Sequence, residues 1–194
     1  MKIATLNINN IRRRLPNLLA WLDGTKSDVV ALQELKTVDA EFPLEAVRQA
    51  GYGAVWRGES RWNGVAILAR GAEPVVTRRG LPGDHDDHDD QQARYIEAAV
   101  EGVLVASIYL PNGNPLPGPK FDYKLAWFER LQQHAAELLS ADVPVVLAGD
   151  YNVVPTEFDV YPKHSYAKNE LLQPESRKAY TSLFDQGWTD VPAP

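Results

Sequence analysis

Apolar and polar positions follow two rhythms along this chain. Lys2 to Asn7 alternates and stops at Asn9-Asn10, which predicts a strand followed by a loop. Asp28 to Gln33 is a short continuous apolar run and predicts a strand buried on both faces. Gly53 to Arg57, Gly64 to Arg70, Tyr95 to Val100 and Val103 to Leu110 are rich in Val, Ile and Tyr and predict further strands. The last predicted strand is Val143 to Ala148. Helical spacing is clearest in Phe121 to Leu139, where Phe121, Leu125, Phe128, Leu131, Ala135 and Leu138 recur at intervals of three and four. A first helix opens near Leu15, with Pro16 in its opening turn, Leu15, Leu18 and Leu22 on one face and Gly24 at its end. Leu44 to Ala50 predicts a short helix, and Glu175 to Gln186 a longer one ending near Gly187.

Strands alternate with helices, yet the middle strands come in adjacent pairs. That order predicts an α/β (α+β) fold of two packed, mixed sheets with helices outside, not a doubly wound parallel sheet. The 194 residues show no repeat and no low-complexity linker, so one domain covering residues 1–194 is expected. The Pro- and Gly-rich stretch Pro111 to Pro119 reads as a rigid surface arm beside a site.

Composition narrows the chemistry. No stretch reaches the roughly 20 apolar residues of a membrane span, and the first residues run directly into a strand pattern without the architecture of a signal peptide. No cysteine is present, which excludes disulfides and thiol catalysis and fits a reducing cytoplasm. The formal charge of −6 argues against a passive nucleic-acid coat, which would lean on net basicity. It suits an enzyme that meets phosphates through a cation and a local basic patch. Basic residues do bunch, at Arg12-Arg13-Arg14, Arg57 with Arg61, and Arg78-Arg79.

Polar residues then gather at strand ends. Asn7 closes the first strand, Glu34 follows the second, Tyr109 lies near the end of Val103 to Leu110, and Asp150 and Asn152 follow Val143 to Ala148. Water begins where strands end, so any one of these is ordinary. Four such strand ends together describe a rim on which carboxylate and amide oxygens suit a hard divalent cation.

The segments Thr5 to Arg12, Leu32-Gln33-Glu34-Leu35-Lys36, Asn63 to Leu68, Ala93 to Ile96, Ser107 to Gly113, Lys120 to Lys124 and Gly149-Asp150-Tyr151-Asn152 occur in order. Together they resemble the exonuclease III family, within the endonuclease/exonuclease/phosphatase superfamily, over essentially the whole chain. The resemblance implies a four-layer αββα sandwich. It implies a Mg²⁺- or Mn²⁺-dependent phosphodiesterase of base-excision repair that cuts duplex DNA at abasic sites and trims 3′ ends. By position, Asn7 and Glu34 would hold the metal, and Asp150 and Asn152 are also implied as metal-site residues. Tyr109 would touch the scissile phosphate, Asp150 would orient or deprotonate the attacking water, and Asn152 would hydrogen-bond phosphate or water. Arg94, Asn112 and Lys120 fall where the family meets the DNA. A monomer without membrane association is expected.

The family's pattern continues past Pro194 with a further Asp and an Asp-His pair. A C-terminally incomplete domain is therefore expected, with open sheet edges, weak metal binding and impaired catalysis. The histidines offer no replacement by position. His134 is expected on the polar side of its helix, His164 in a Tyr/Lys-rich loop, and His85 and His88 in a solvated acidic run. Two alternatives follow: a fragment that only binds DNA, or a same-fold phosphodiesterase acting on lipid or inositol phosphates.

Overall fold

The computed structural model describes residues 1–83, 91–161 and 169–191; His85, His88 and His164 lie outside them. The chain forms two compact units, one of residues 1–109 with 142–150, the other of residues 110–141 with those from 151 onward.

The first unit holds two four-stranded sheets. One is built from β1 (Ile3–Asn7), β2 (Val29–Gln33), β3 (Tyr52–Arg57) and β4 (Val65–Arg70) in the order β1-β2-β4-β3. The other contains β5 (Val75–Arg79), β6 (Tyr95–Val100), β7 (Val103–Tyr109) and β8 (Val145–Asp150) in sequence order. Each sheet is mixed, with one parallel pair at one end: β1 with β2, and β7 with β8. The expected α/β class with two mixed sheets is thus what the chain adopts. Among the described residues β1 and β3 are the edge strands of one sheet, and β5 and β8 those of the other.

Burial explains the runs. Every residue of β2 is buried, because both its faces are covered. Val30 and Leu32 pack with Ile11, Leu18 and Leu22 of α1 (Ile11–Thr25) and Val47 of α2 (Leu44–Gln49). Val29 instead joins Val65, Ile67, Ile96, Ala98 and Val105 in the layer between the sheets. A helix outside one sheet and a second sheet inside it follow from this alternation.

Three elements differ from the sequence expectation. Helix α1 starts at Ile11, four residues early, because the Asn10 side chain caps it by accepting from the Arg13 N–H at 3.0 Å. Pro16 consequently lies inside the helix, and Lys26, not Gly24, takes the left-handed cap position. Strand β5 carried no pattern, since its positions are almost all exposed on a sheet edge. Strand β8 runs on through Gly149 and Asp150, because pairing with β7 continues to Tyr109↔Asp150.

The second unit contains α3 (Pro119–Leu138) and α4 (Pro174–Asp185). Gln132 ties them, its amide donating to the Ala179 carbonyl at 2.8 Å and to Ser182 Oγ at 2.6 Å. Tyr151, Tyr180 and Phe184 stack edge to face beside this join. The buried face of α3 includes Lys124, fully buried, while Leu125 is half-buried. Lys124 Nζ donates to the carbonyls of Asn112, Asn152 and Glu170, which satisfies the buried ammonium. His134 is also a correction: it is 4 % exposed and buried on the α3 core face three residues after Leu131, with Nδ1 3.3 Å from Glu137 Oε2.

Candidate active site

The two parallel pairs do the positioning. Parallel strands finish on the same rim, and the inward-facing residues of β1, β7 and β8 at that rim are Asn7, Tyr109 and Asp150. Glu34 does not belong there by simple alternation. It has the parity of Leu32, which packs against α1. The backbone at Glu34 is left-handed, φ 55°, and this turns the carboxylate from the helix side toward the space between the sheets. A non-glycine residue in that region carries strain, which concentrates at functional sites. Gly149 serves close approach instead: a Cβ there would sit 2.1 Å from the Ile108 carbonyl oxygen, so only glycine lets β8 lie against β7 at this point.

Hydrogen bonds then join the four strand ends. Asn7 Nδ2 donates to Glu34 Oε1 at 2.9 Å and to Asp150 Oδ2 at 2.9 Å, so one amide bridges two carboxylates from different sheets. The Tyr109 hydroxyl donates to the same Glu34 Oε1 at 2.8 Å. Lys36 Nζ lies 2.7 Å from Glu34 Oε2 and donates to Asn9 Oδ1 at 2.7 Å. Burial alone would raise the Glu34 carboxyl; the bonds from Asn7, Lys36 and Tyr109 outweigh it and hold the group below its ordinary value. Burial, then the bond to Glu34 and its charge, push the Tyr109 phenol far above its ordinary value. At neutral pH the site therefore holds an ionised Glu34 and a neutral Tyr109.

Arg94 supports Tyr109. Its guanidinium stands 5.0 Å from the centre of the phenol ring and donates through Nη1 to the Tyr109 carbonyl at 3.2 Å. Its Nε donates to Gln92 Oε1 at 2.7 Å. Beside Lys36 opens a cleft of about 390 Å³ lined by Asn9, Asn10, Arg13 and Arg14. Arg12 is separate from this cleft lining and pairs with Glu41.

The structure thus brings Asn7, Glu34, Tyr109, Asp150 and Arg94 together in the first unit. Asn112, Lys120 and Asn152 belong to the second unit. There Asn152, with φ 48°, donates through Nδ2 to the Leu110 carbonyl at 2.7 Å. Asn112 is exposed, and its Oδ1 accepts from the Asn114 N–H in a local turn; Lys120 is exposed in the first turn of α3. Sequence reasoning assigned no role to Lys36, although a lysine two positions after the strand-end glutamate was visible. It also passed over Trp62, 69 % exposed, whose ring centre is 5.9 Å from the Lys36 ammonium.

The model of the Endonuclease/Exonuclease/phosphatase family matches residues 4–193. Exodeoxyribonuclease III of Haemophilus influenzae is 34% identical over 201 residues, covering 98% of this chain and 74% of that protein. Among solved structures, an AP endonuclease from Archaeoglobus fulgidus superposes with a TM-score of 0.88 at 33% identity, over 98% of this chain and 72% of that one. A 3′ phosphatase from Neisseria, bound to a product DNA hairpin, superposes with a TM-score of 0.88 at 35% identity, over the same shares of 98% and 72%.

Proposed function

The chain belongs to the endonuclease/exonuclease/phosphatase family, and from that premise we propose that it is a DNA-repair nuclease, a metal-dependent phosphodiesterase that incises duplex DNA at abasic sites and trims 3′ ends. The names of its relatives support DNA as the substrate: an exodeoxyribonuclease, an AP endonuclease, and a 3′ phosphatase holding a DNA product. One observation carries the reading, the Asn7 amide shared between the Glu34 and Asp150 carboxylates with Tyr109 on the same Glu34 oxygen.

The donor set fits a hard cation such as Mg²⁺ or Mn²⁺, which prefers oxygen ligands. Among the described residues no three His, Asp or Glu side chains gather, so the site offers two carboxylates and adds a neutral amide oxygen from Asn7. Asn7 Oδ1 accepts the Asn9 N–H at 3.1 Å in the arrangement seen here. Glu34 and Asn7 would hold the ion beside Asp150. When bound, it supplies charge neutralisation to the phosphodiester and to the charge that develops on its oxygens.

The remaining chemistry is the protein's own. Asp150 Oδ accepts a proton from the attacking water. Tyr109, kept as a neutral phenol by Glu34 and burial, offers its O–H as a donor to a non-bridging oxygen. Arg94 fixes the ring of Tyr109 from behind. Arg13, Arg14 and Lys36 make the nearby cleft cationic although the whole chain is acidic, and a phosphate backbone fits it. Trp62 offers an exposed ring beside it for a nucleobase or sugar.

The test is a duplex oligonucleotide with one abasic site, incubated with Mg²⁺ or with chelator. Nicking beside the abasic site in Mg²⁺ alone is the expected result. Retardation without cleavage in any divalent metal, or release of phosphate from inositol phosphates in place of nicking, would overturn the proposal.

A further inference from the structure

Directly beneath the four strand ends lies a polar layer that the proposed chemistry does not use. Gln33 immediately precedes Glu34 and is paired in register with Asn7. It is 1 % exposed, and Ser107, two residues before Tyr109 on the facing sheet, is fully buried. Gln33 Nε2 donates to Ser107 Oγ at 3.2 Å, and the Ser107 hydroxyl donates in turn to the Leu32 carbonyl at 2.9 Å. On its other side Gln33 Oε1 accepts from Thr5 Oγ1 at 3.2 Å, and Thr5 is two residues before Asn7. Gln33 thus lies one residue from a site residue, and Ser107 and Thr5 two residues from theirs.

Below this layer the two sheets meet through Val29, Ile67, Val65 and Val105. Apolar packing holds sheets together but is non-directional, and it tolerates small sliding of one sheet over the other. The site cannot tolerate it, because the Asn7–Asp150 bond spans the gap between the sheets. A directional link is needed just under that bond. The chain Thr5 O–H to Gln33, Gln33 N–H to Ser107, Ser107 O–H to the Leu32 carbonyl supplies it in one sense only. A carboxylate at position 33 could not donate to Ser107, and a methionine could do neither job.

We propose that Gln33, acting through Ser107, is a positioning residue that locks the lateral register of the two sheets and so sets the distance between the Asn7–Glu34 and Tyr109–Asp150 halves of the site. The inference rests on the nuclease reading for its kinetic test but not for its structural one. Gln33→Met keeps length and bulk while removing both polar functions; Ser107→Ala removes the partner.

Two measurements decide it. A crystal structure of Gln33→Met, which needs no activity, should show the Asn7 Nδ2–Asp150 Oδ2 separation opened beyond hydrogen-bond range from 2.9 Å. Kinetically, abasic-duplex incision by Gln33→Met and by Ser107→Ala should each lose kcat by about tenfold or more, as an ångström-scale misplacement does, with KM for the duplex nearly unchanged. The double variant should be no slower than Ser107→Ala alone, because Ser107→Ala already removes the Gln33–Ser107 bond together with the Ser107–Leu32 one. A purely structural role would lower the melting temperature and spare kcat. An unchanged Asn7–Asp150 distance, kcat retained in either single variant, or losses that multiply in the double variant would overturn the proposal. Should Gln33→Met not fold, Ser107→Ala with the same structural and kinetic readouts decides it alone. A wild-type chain that does not nick DNA, paired with a widened gap in the variant, would sink the nuclease reading and leave the positioning claim standing.

Discussion

Replacing Asn7 with alanine removes the one group that Glu34 and Asp150 share. Both carboxylate oxygens lie 2.9 Å from Asn7 Nδ2, so they are at most about 5.8 Å apart. Two ionised carboxylates at that separation repel by about 3 kcal/mol at an effective dielectric constant of about 20. The bridging amide offsets this with two charge-assisted hydrogen bonds, each worth about 1.5–3 kcal/mol when buried and less at a half-exposed rim. The net cost of Asn7→Ala should therefore be about 2 kcal/mol in metal-free protein. For a chain of this size that lowers the melting temperature by about 4–8 °C. The assay is a thermal melt at neutral pH in chelator, repeated in an Asp150→Asn background. There the same substitution should cost about half as much, since one charge is gone. Saturating Mg²⁺ should enlarge the loss, because an ion held in part by Asn7 stabilises wild type more than the variant. A loss that is equal in both backgrounds and indifferent to Mg²⁺ would refute the reasoning and reduce Asn7 to an ordinary packing residue.

Two other outcomes follow from the site's electrostatics. Arg13→Ala and Arg14→Ala should each weaken duplex binding about tenfold at low salt and reduce the salt slope by about one, while Arg12→Ala, already paired with Glu41, should leave binding unchanged; equal losses at all three, by fluorescence anisotropy, would contradict this. The folded pKa of Glu34 lies below its ordinary value of 4.5, so it contributes stability above that pH which disappears as pH falls through the folded value. Glu34→Gln should flatten part of the acid limb of stability against pH, and an unaltered limb would count against the hydrogen bonds described. Tyr109 runs the opposite way: its folded pKa is raised from 10.0, so its contribution is complete below pH 10 and is lost as pH rises toward the folded value. Phenolate absorbance of wild type and Tyr109→Phe should therefore coincide up to that pH and differ only at higher pH, and a difference near or below pH 10 would contradict this.

Much of this was readable in the sequence because burial writes itself into strands covered on both faces. The runs around Val29–Gln33 and Val65–Arg70, and the pair Tyr95–Val100 and Val103–Tyr109, announced their positions closely. Asn7, Glu34, Tyr109 and Asp150 were visible as strand-end polar residues, and the motifs they sit in carried the family resemblance. What stayed hidden depended on groups far apart in sequence. Nothing local says that Glu34 turns to the inner side through a left-handed backbone, or that Lys36 lies against it. His134 looked like a surface residue because its hydrophilicity was read without its surroundings, and nothing near Lys124 in the sequence announced the three carbonyls that accept from it. Strand β5 was missed because an exposed edge strand has no apolar face to display. The Gln33–Ser107 link joins residues 74 apart and has no sequence signature.

Single-turnover incision of an abasic duplex by Asp150→Asn, beside wild type at saturating Mg²⁺, tests the central claim most directly. The account predicts a rate reduced by about 10³-fold or more with duplex affinity retained, since a proton acceptor is lost and no binding group is. Incision by Asp150→Asn at close to the wild-type rate would contradict it.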